Sequence, residues 1–365
     1  MHAKTARATG RYALIYAGAI AAGFLASLAQ VPLPWMIGPL LFASAAGIAG
    51  FAVRVPAITR PVGQTVIAGS VGLAFTPAAF VAVSEQFFAM ILVTILTVAA
   101  GFLVAAALMR LARVDVVSAS LASVPIGPVE TAHMAEKYNV APGPVVFAQT
   151  LRIMLLILVI PPIIIALDGT VDDPGAVLAS MSVEPSGAVL LIALATIGGV
   201  LFKKLGIANP FFLGPLAFSA AAAALSLPVS AVPYVILAAA QVLLGVWLGA
   251  MFDRDLLRNA GGFVVAALVS TILMIVLCCI MALGVSAMTG IRWTTMVLAT
   301  APGSVTEMAL TAKILQEGVA MVTAFHLVRI FIILPAAPLI FATTARLAKR
   351  HPTEPPPRSN PKEGG

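Results

Sequence analysis

Apolar residues run in blocks of about twenty along this chain, close to the length one helix needs to cross a ~30 Å hydrocarbon core. In the first half the blocks lie at 12–31, 35–53, 58–76, 87–109 and 143–167. In the second they lie at 187–205, 210–227, 232–252, 261–289 and 318–342. Two more segments, 115–138 and 293–316, are apolar but interrupted, around Ser123-Val124-Pro125-Ile126-Gly127-Pro128 and Ala301-Pro302-Gly303-Ser304. The pattern predicts an all-α polytopic membrane protein with about ten transmembrane helices and two re-entrant or broken-helix hairpins. A hairpin that enters and leaves on one side leaves five crossings per half. A broken helix that crosses fully, with another span miscounted, is the alternative.

The two halves also repeat each other. Pro34-Trp35-Met36-Ile37-Gly38-Pro39-Leu40 returns as Pro210-Phe211-Phe212-Leu213-Gly214-Pro215-Leu216. Gln64, Gly72 and Phe75 return as Gln241, Gly249 and Phe252, and Pro125, Glu130, Arg152 and Pro161 as Pro302, Glu307, Arg329 and Pro338. The offset is 176 at first and 177 thereafter. Lys and Arg mark cytoplasmic loops. They cluster at Lys4, Arg7 and Arg11, at Arg54 and Arg60, and at Arg110 and Arg113 in the first half. In the second they cluster at Lys203 and Lys204, at Arg254 and Arg258, and at Arg346, Lys349 and Arg350. Gln30 to Pro34 and Pro77 to Gln86, the first-half equivalents of the second half's two internal basic loops, carry none. The bias therefore flips between copies, as two inverted-topology repeats with both termini cytoplasmic require. Secondary transporters are commonly built this way, with the working site where the copies meet.

The expected organisation is a cytoplasmic segment at 1–11, a first membrane repeat at 12–170, an extracytoplasmic linker at 171–186, a second repeat at 187–345 and a disordered cytoplasmic tail at 346–365. The run from Tyr12 to Val31 follows basic residues, and Ser27-Leu28-Ala29 resembles a cleavage site. Its counterpart near 188–205 argues for a membrane helix instead.

Composition agrees. Of 365 residues 61% are hydrophobic and 10% charged, and the mean hydropathy is +1.07; soluble domains carry roughly 25% charged residues. The net charge of +7 would suggest nucleic acid in a soluble protein, but here it sits in short loops, so no nucleic-acid partner is expected. The expected partners are the lipid bilayer of a bacterial inner membrane, a small-molecule solute and a second copy of the chain. Cys278 and Cys279 are adjacent, which fits neither a structural disulfide nor a shared ligand. The four histidines are scattered, so no metal site and no cofactor is expected, and no catalytic residue is assigned.

Three constellations remain. Each break frees helix-end carbonyls and N–H groups, which hold ions and anionic groups in transporters; Ser123, Gly127, Gly303, Ser304 and Thr306 add hydroxyls or room for close approach. Glu130 and Glu307 follow the breaks, where a carboxylate at membrane depth is costly unless paired, protonated or wetted. They read as proton or coupling-ion residues, or as helix-start carboxylates held by the dipole. Arg152 with Gln149, and Arg329 with His326, are spaced to share a helix face within apolar runs. An Arg there needs an anion or counter-charge. It is either a solute ligand or a fixed brace, Arg152 with Glu130 and Arg329 with Glu307. His326 joins the coupling candidates; His133, three residues after Glu130, reads as structural.

The motifs Pro34-Trp35-Met36-Ile37-Gly38-Pro39, the run from Gln241 to Gly249, Ala301-Pro302-Gly303, Glu307-Met308-Ala309 and His326-Leu327-Val328-Arg329 resemble the duplicated AbrB-type bacterial membrane family. The likeness covers residues 12 to 345. Members are labelled ammonia monooxygenase or regulators of gene expression. Where that family has Pro-Gly-Gly at the second break, this chain has Ser304 after Gly303. The expected function is secondary transport of a small, carboxylate-bearing solute with proton or sodium coupling. The alternative is a membrane sensor acting through a partner. An oxidase would need a redox metal for which the histidine and cysteine count gives no ligands.

Overall fold

A computed structural model describes residues 2–51, 53–168, 183–254, 258 and 262–350. The described residues hold fifteen helices and no strand. In chain order they are α1 (His2–Leu28), α2 (Pro34–Ile48), α3 (Thr59–Gly72), α4 (Pro77–Glu85), α5 (Phe87–Ala112), α6 (Val116–Ser123), α7 (Pro128–Lys137) and α8 (Pro142–Asp168). The second half gives α9 (Pro185–Lys204), α10 (Pro210–Ala224), α11 (Tyr234–Gly249), α12 (Gly262–Thr289), α13 (Trp293–Thr300), α14 (Val305–Ile314) and α15 (Val319–Arg350). Every predicted apolar run carries a helix, and both interrupted segments divide into two short helices at the Pro and Gly residues. The expected linker at 171–186 lies outside the described residues up to 182. The last helix runs on through Arg350; the rest of the expected tail, 351–365, lies outside them too.

Six helices are long and apolar enough to cross a membrane: α1 over Arg11–Leu28, α5, α8, α9, α12 and α15 over Val319–Thr344. Counting α3 and α4 as one broken span makes seven, but that pair is bent by 91°. The runs expected at 35–53, 58–76, 210–227 and 232–252 yield shorter helices, of 15, 14, 15 and 16 residues. Long helices turn apolar side chains outward, as a lipid-facing surface requires: Phe88 is 84% exposed, Leu14 75% and Val265 63%. Inside, Thr94 and Thr97 are satisfied by their own helix: Thr94 donates to the Met90 carbonyl and Thr97 to that of Val93. This removes the cost of a bare polar group in an apolar interior.

The helices pack in two groups, each drawn from both halves of the chain. In one, α2 lies against α1 and α11, and α3 against α10, α11 and α9, with α9 on α10. Glycines permit the closest approaches: a Cβ on Gly249 would meet the Leu40 carbonyl oxygen at 2.5 Å, and one on Gly72 that of Leu216 at 2.9 Å. The other group holds α5 to α8 and α12 to α15, with α5 on α12, α7 on α8 and α13 and α14 on α15. Contacts of α3 with α14 and α15, and of α4 with α15, join the groups. One apolar core spans them, from Leu40, Ile67 and Leu244 to Leu156, Met308 and Phe325. At one end of the second group Arg292 pairs with Asp168 at 2.6 Å and with Glu317 at 3.1 Å, tying the start of α13 to the end of α8 and the start of α15.

Backbone conformation carries a further regularity. Among the described residues eleven have positive φ. Ten of them form pairs: Gln30 with Gly206, Leu33 with Asn209 and Gly50 with Ser226 at a spacing of 176, and Arg113 with Gly290 and Asn139 with Gln316 at 177. Gly127 alone has no partner of this kind. Helix lengths match in step: α6 and α13 have 8 residues each, α7 and α14 have 10.

Candidate functional site

The site grows from the two interrupted segments. Asp115 caps α6, accepting the N–H groups of Val117 and Ser118 at 2.9 and 3.0 Å. Helix α6 then ends at Ser123 and α13 at Thr300, each before an extended residue and a proline. Proline cannot continue either ladder, so carbonyls at both ends lose their intrahelical partners.

Side chains from α8 and α15 take those carbonyls up. Gln149 Nε2 donates to Leu121 O at 2.7 Å and to Val124 O at 2.8 Å. Arg152 Nη1 donates to Ser123 O at 2.8 Å and its Nη2 to the Gln149 side-chain oxygen. In the second half His326 Nε2 lies 3.0 Å from Leu298 O, and Arg329 donates to Ala301 O at 2.8 Å and Gly303 O at 2.6 Å. Arg329 also donates to His326 Nδ1 at 2.7 Å, so the ring proton belongs on Nε2 and the imidazole is neutral. Of these bonds to the break carbonyls, one crosses between the halves: Arg152 Nε donates to Pro302 O at 2.9 Å. A guanidinium at a helix C-terminus also meets the negative end of the dipole.

This arrangement corrects the expected brace. The ion pairs found among the described residues join Arg292 to Asp168 and Glu317; Arg152 and Glu130 form none, nor do Arg329 and Glu307. The breaks free backbone acceptors, and these take the arginine donors first.

Beyond the breaks, α7 and α14 begin. Gly127 precedes α7 with φ 93° and ψ 151°, a region essentially closed to side chains; a Cβ there would also meet Glu130 Oε2 at 2.6 Å. Ser304 precedes α14 with an ordinary extended backbone, φ −76° and ψ 144°. Both N-termini border a cavity of about 70 Å³. Its lining includes Gly127, Pro128 and Glu130 from the first break, and Gly303, Ser304 and Val305 from the second. Arg152 and Arg329 line it as well, with Gln149, Arg60 and Asn209.

Of the ten residues expected at the site, six border this space: Gly127, Glu130, Arg152, Gly303, Ser304 and Arg329. Ser123 contributes through its carbonyl, and its hydroxyl is buried without a hydrogen-bond partner. Thr306 accepts from Gln64 Nε2 at 3.2 Å. Glu307 is buried, its Oε2 without a partner. Both nitrogens of His326 are engaged, which makes it a structural holder of Leu298 here. His133 is exposed and bonds back to Val129 O at 2.9 Å. Gln64, one of the repeated positions, also bonds Asn209 Oδ1 at 3.3 Å, whereas Oε1 of its counterpart Gln241 is buried and unpartnered.

Sequence reasoning missed Arg60. It reads as a loop charge that fixes orientation, yet it opens α3, is half-buried, and stacks over Trp247 with 4.6 Å from its guanidinium carbon to the ring centre. Its place four residues before Gln64 on an apolar helix was the one available hint.

Comparison with known proteins gives a family and little chemistry. The chain is 24% identical over 344 residues, 87% of its own length and 89% of the relative's, to an uncharacterized protein, YhjN, of Bacillus subtilis (strain 168). No solved structure matches it. The model of the family described as transition state regulatory protein AbrB matches residues 3–345, and the chain belongs to that family.

Proposed function

We propose that this chain is a secondary active transporter that moves a small, carboxylate-bearing solute across the bacterial inner membrane, coupled to protons or sodium. One observation carries the reading: two broken helices from opposite halves meet at one cavity, with Arg60, Arg152 and Arg329 around it. Arg152 and Arg329 meet the C-terminal carbonyls, which leaves the N-termini of α7 and α14, the positive ends of their dipoles, toward the space. Three guanidinium charges outweigh the carboxyl of Glu130 on the lining, so the cavity suits an anion.

The paired left-handed residues support two inverted-topology copies. On this reading each half crosses five times, the broken segments are re-entrant and both termini are cytoplasmic. Helices α2, α3, α10 and α11 reach only about 21–24 Å. The non-helical residues beside them complete the crossing, tolerated where protein surrounds them. The group α1–α3 with α9–α11 serves as scaffold and as the surface for contact with a second copy. The group α5–α8 with α12–α15 moves against it. The cavity is small, about 70 Å³, so on this reading the solute enters when the groups separate. Glu307, buried with a bare oxygen, is the first candidate for the coupling proton or ion.

The test is uptake by proteoliposomes of a panel of small mono- and dicarboxylates under an imposed proton or sodium gradient. Wild type is expected to accumulate at least one. Glu307→Gln is expected to lose accumulation while still exchanging preloaded solute. No accumulation under either gradient would end the transporter reading, and binding without flux would favour the sensor that the family's description suggests.

A further inference from the structure

Arg152 and Arg329 are the obvious anion ligands by sequence, and each is committed elsewhere. Three donors of Arg152 go to Ser123 O, Pro302 O and Gln149, and three of Arg329 to Ala301 O, Gly303 O and His326. Pulling either toward a solute would strand buried carbonyls. Arg60 is different. It borders the same cavity from the scaffold side, and its contact is with the face of Trp247, which binds a cation without consuming a hydrogen-bond donor. Trp247 on α11 thus holds the guanidinium over its ring while its N–H donors stay available for a ligand such as a bidentate carboxylate. Asn209, at the start of α10, lines the same wall. Its side-chain oxygen accepts from Gln64, which turns the amide N–H pair outward from that bond. Arg60 and Asn209, both from the α1–α3 and α9–α11 group, therefore offer donors to a cavity that the N-termini of α7 and α14 also line.

We propose that Arg60, held over Trp247 and flanked by Asn209, is the residue that grips the solute's carboxylate, and that Arg152 and Arg329 are positioning residues for the breaks. This rests on the transporter reading above and assigns its specificity to the scaffold. A solute held this way bridges the two helix groups: its carboxylate stays on Arg60 while the rest meets the break.

The experiment is equilibrium binding of formate, pyruvate, succinate and citrate, with chloride as the ionic control, to the purified full chain in lipid nanodiscs. At least one carboxylate is expected to bind wild type. Arg60→Gln is expected to weaken it roughly ten- to hundred-fold, the worth of hydrogen bonds to a charged group. Arg60→Lys should recover part of the loss, because it keeps the charge without the fork. Trp247→Leu should weaken binding several-fold, and Trp247→Phe less. Unchanged affinity in Arg60→Gln overturns the assignment while leaving an anion-binding transporter intact. Failure of wild type to bind any of the four overturns the carboxylate class itself, and this inference with it. If Arg60→Gln does not fold, phenylglyoxal modification of wild type, mapped by mass spectrometry, decides. Arg60 is expected to react faster than Arg152 or Arg329 and to be protected by the bound carboxylate. Absence of protection overturns the proposal.

Discussion

At the first break, Gln149 and Arg152 hold the carbonyls of Leu121, Val124 and Ser123, and Arg152 reaches on to Pro302 in the other half. At the second, His326 and Arg329 hold Leu298, Ala301 and Gly303 and stay within their own half. The first break turns on a left-handed Gly127 and leaves Glu130 half-buried on the cavity; the second passes through an extended Ser304 and buries Glu307. What the breaks share is a physical demand. Interrupting a helix in an apolar interior frees acceptors, and a donor from the neighbouring helix must reach them. The arginine and the position three residues before it are fixed by that demand, while glutamine and histidine serve equally well in front. What they do not share is the link across the halves and the backbone turn, and those make the two ends of the cavity unequal.

The most damaging way to probe that inequality is to remove the cross-link. Arg152→Ala strips donors from Ser123 O, Pro302 O and Gln149 at once. At about 1–3 kcal/mol for each stranded buried group, a loss of about 3–5 kcal/mol is expected. Arg329→Ala should cost about 1 kcal/mol less, since its acceptors lie on one break. Thermal unfolding of the purified variants checks the order, and a reversed order would break the comparison. Next in size is the turn. Gly127→Ala is expected to lose about 1–3 kcal/mol from backbone strain, while Ser304→Ala stays within about 0.5 kcal/mol; similar losses at both sites would mean that the turns are alike. The smallest contrast lies on the scaffold. Gln64→Leu removes bonds to Thr306 and Asn209 and should cost about 1–2 kcal/mol. Gln241→Leu removes an unpartnered buried oxygen and should be neutral or stabilising by up to about 1 kcal/mol. Equal effects would show that the hydrogen bonds of Gln64 do not matter.

The apolar blocks located the helices well, because a run of hydrophobic residues between charges has few other uses. They overstated the length of four, since apolar residues continue after the helix has ended, as Phe51 and Val53 do after α2 and Leu225 and Leu227 after α10. The breaks were legible because Pro125 and Pro302 are written in the chain. The brace was misread because letters display charges and hide carbonyls: Glu130 and Arg152 look complementary, whereas the acceptors that hold Arg152 belong to Ser123 and Pro302 and carry no signature in the residue names. Arg60 was invisible for a related reason. Its partner, Trp247, lies on a helix of the other half, and no periodicity connects them.

The paired left-handed residues bear on the two-copy organisation proposed above. At all five pairs the backbone conformation agrees while the residues differ: Gln30 and Gly206, Leu33 and Asn209, Gly50 and Ser226, Arg113 and Gly290, Asn139 and Gln316. Leucine gains nothing from a left-handed conformation that costs roughly 1–2 kcal/mol, so its presence at Leu33 marks a turn kept for the path it sets. On the proposed two-copy reading, ancestry is stored in torsion angles more durably than in side chains. A relative too diverged to align by letters would still be betrayed by where its chain bends the wrong way.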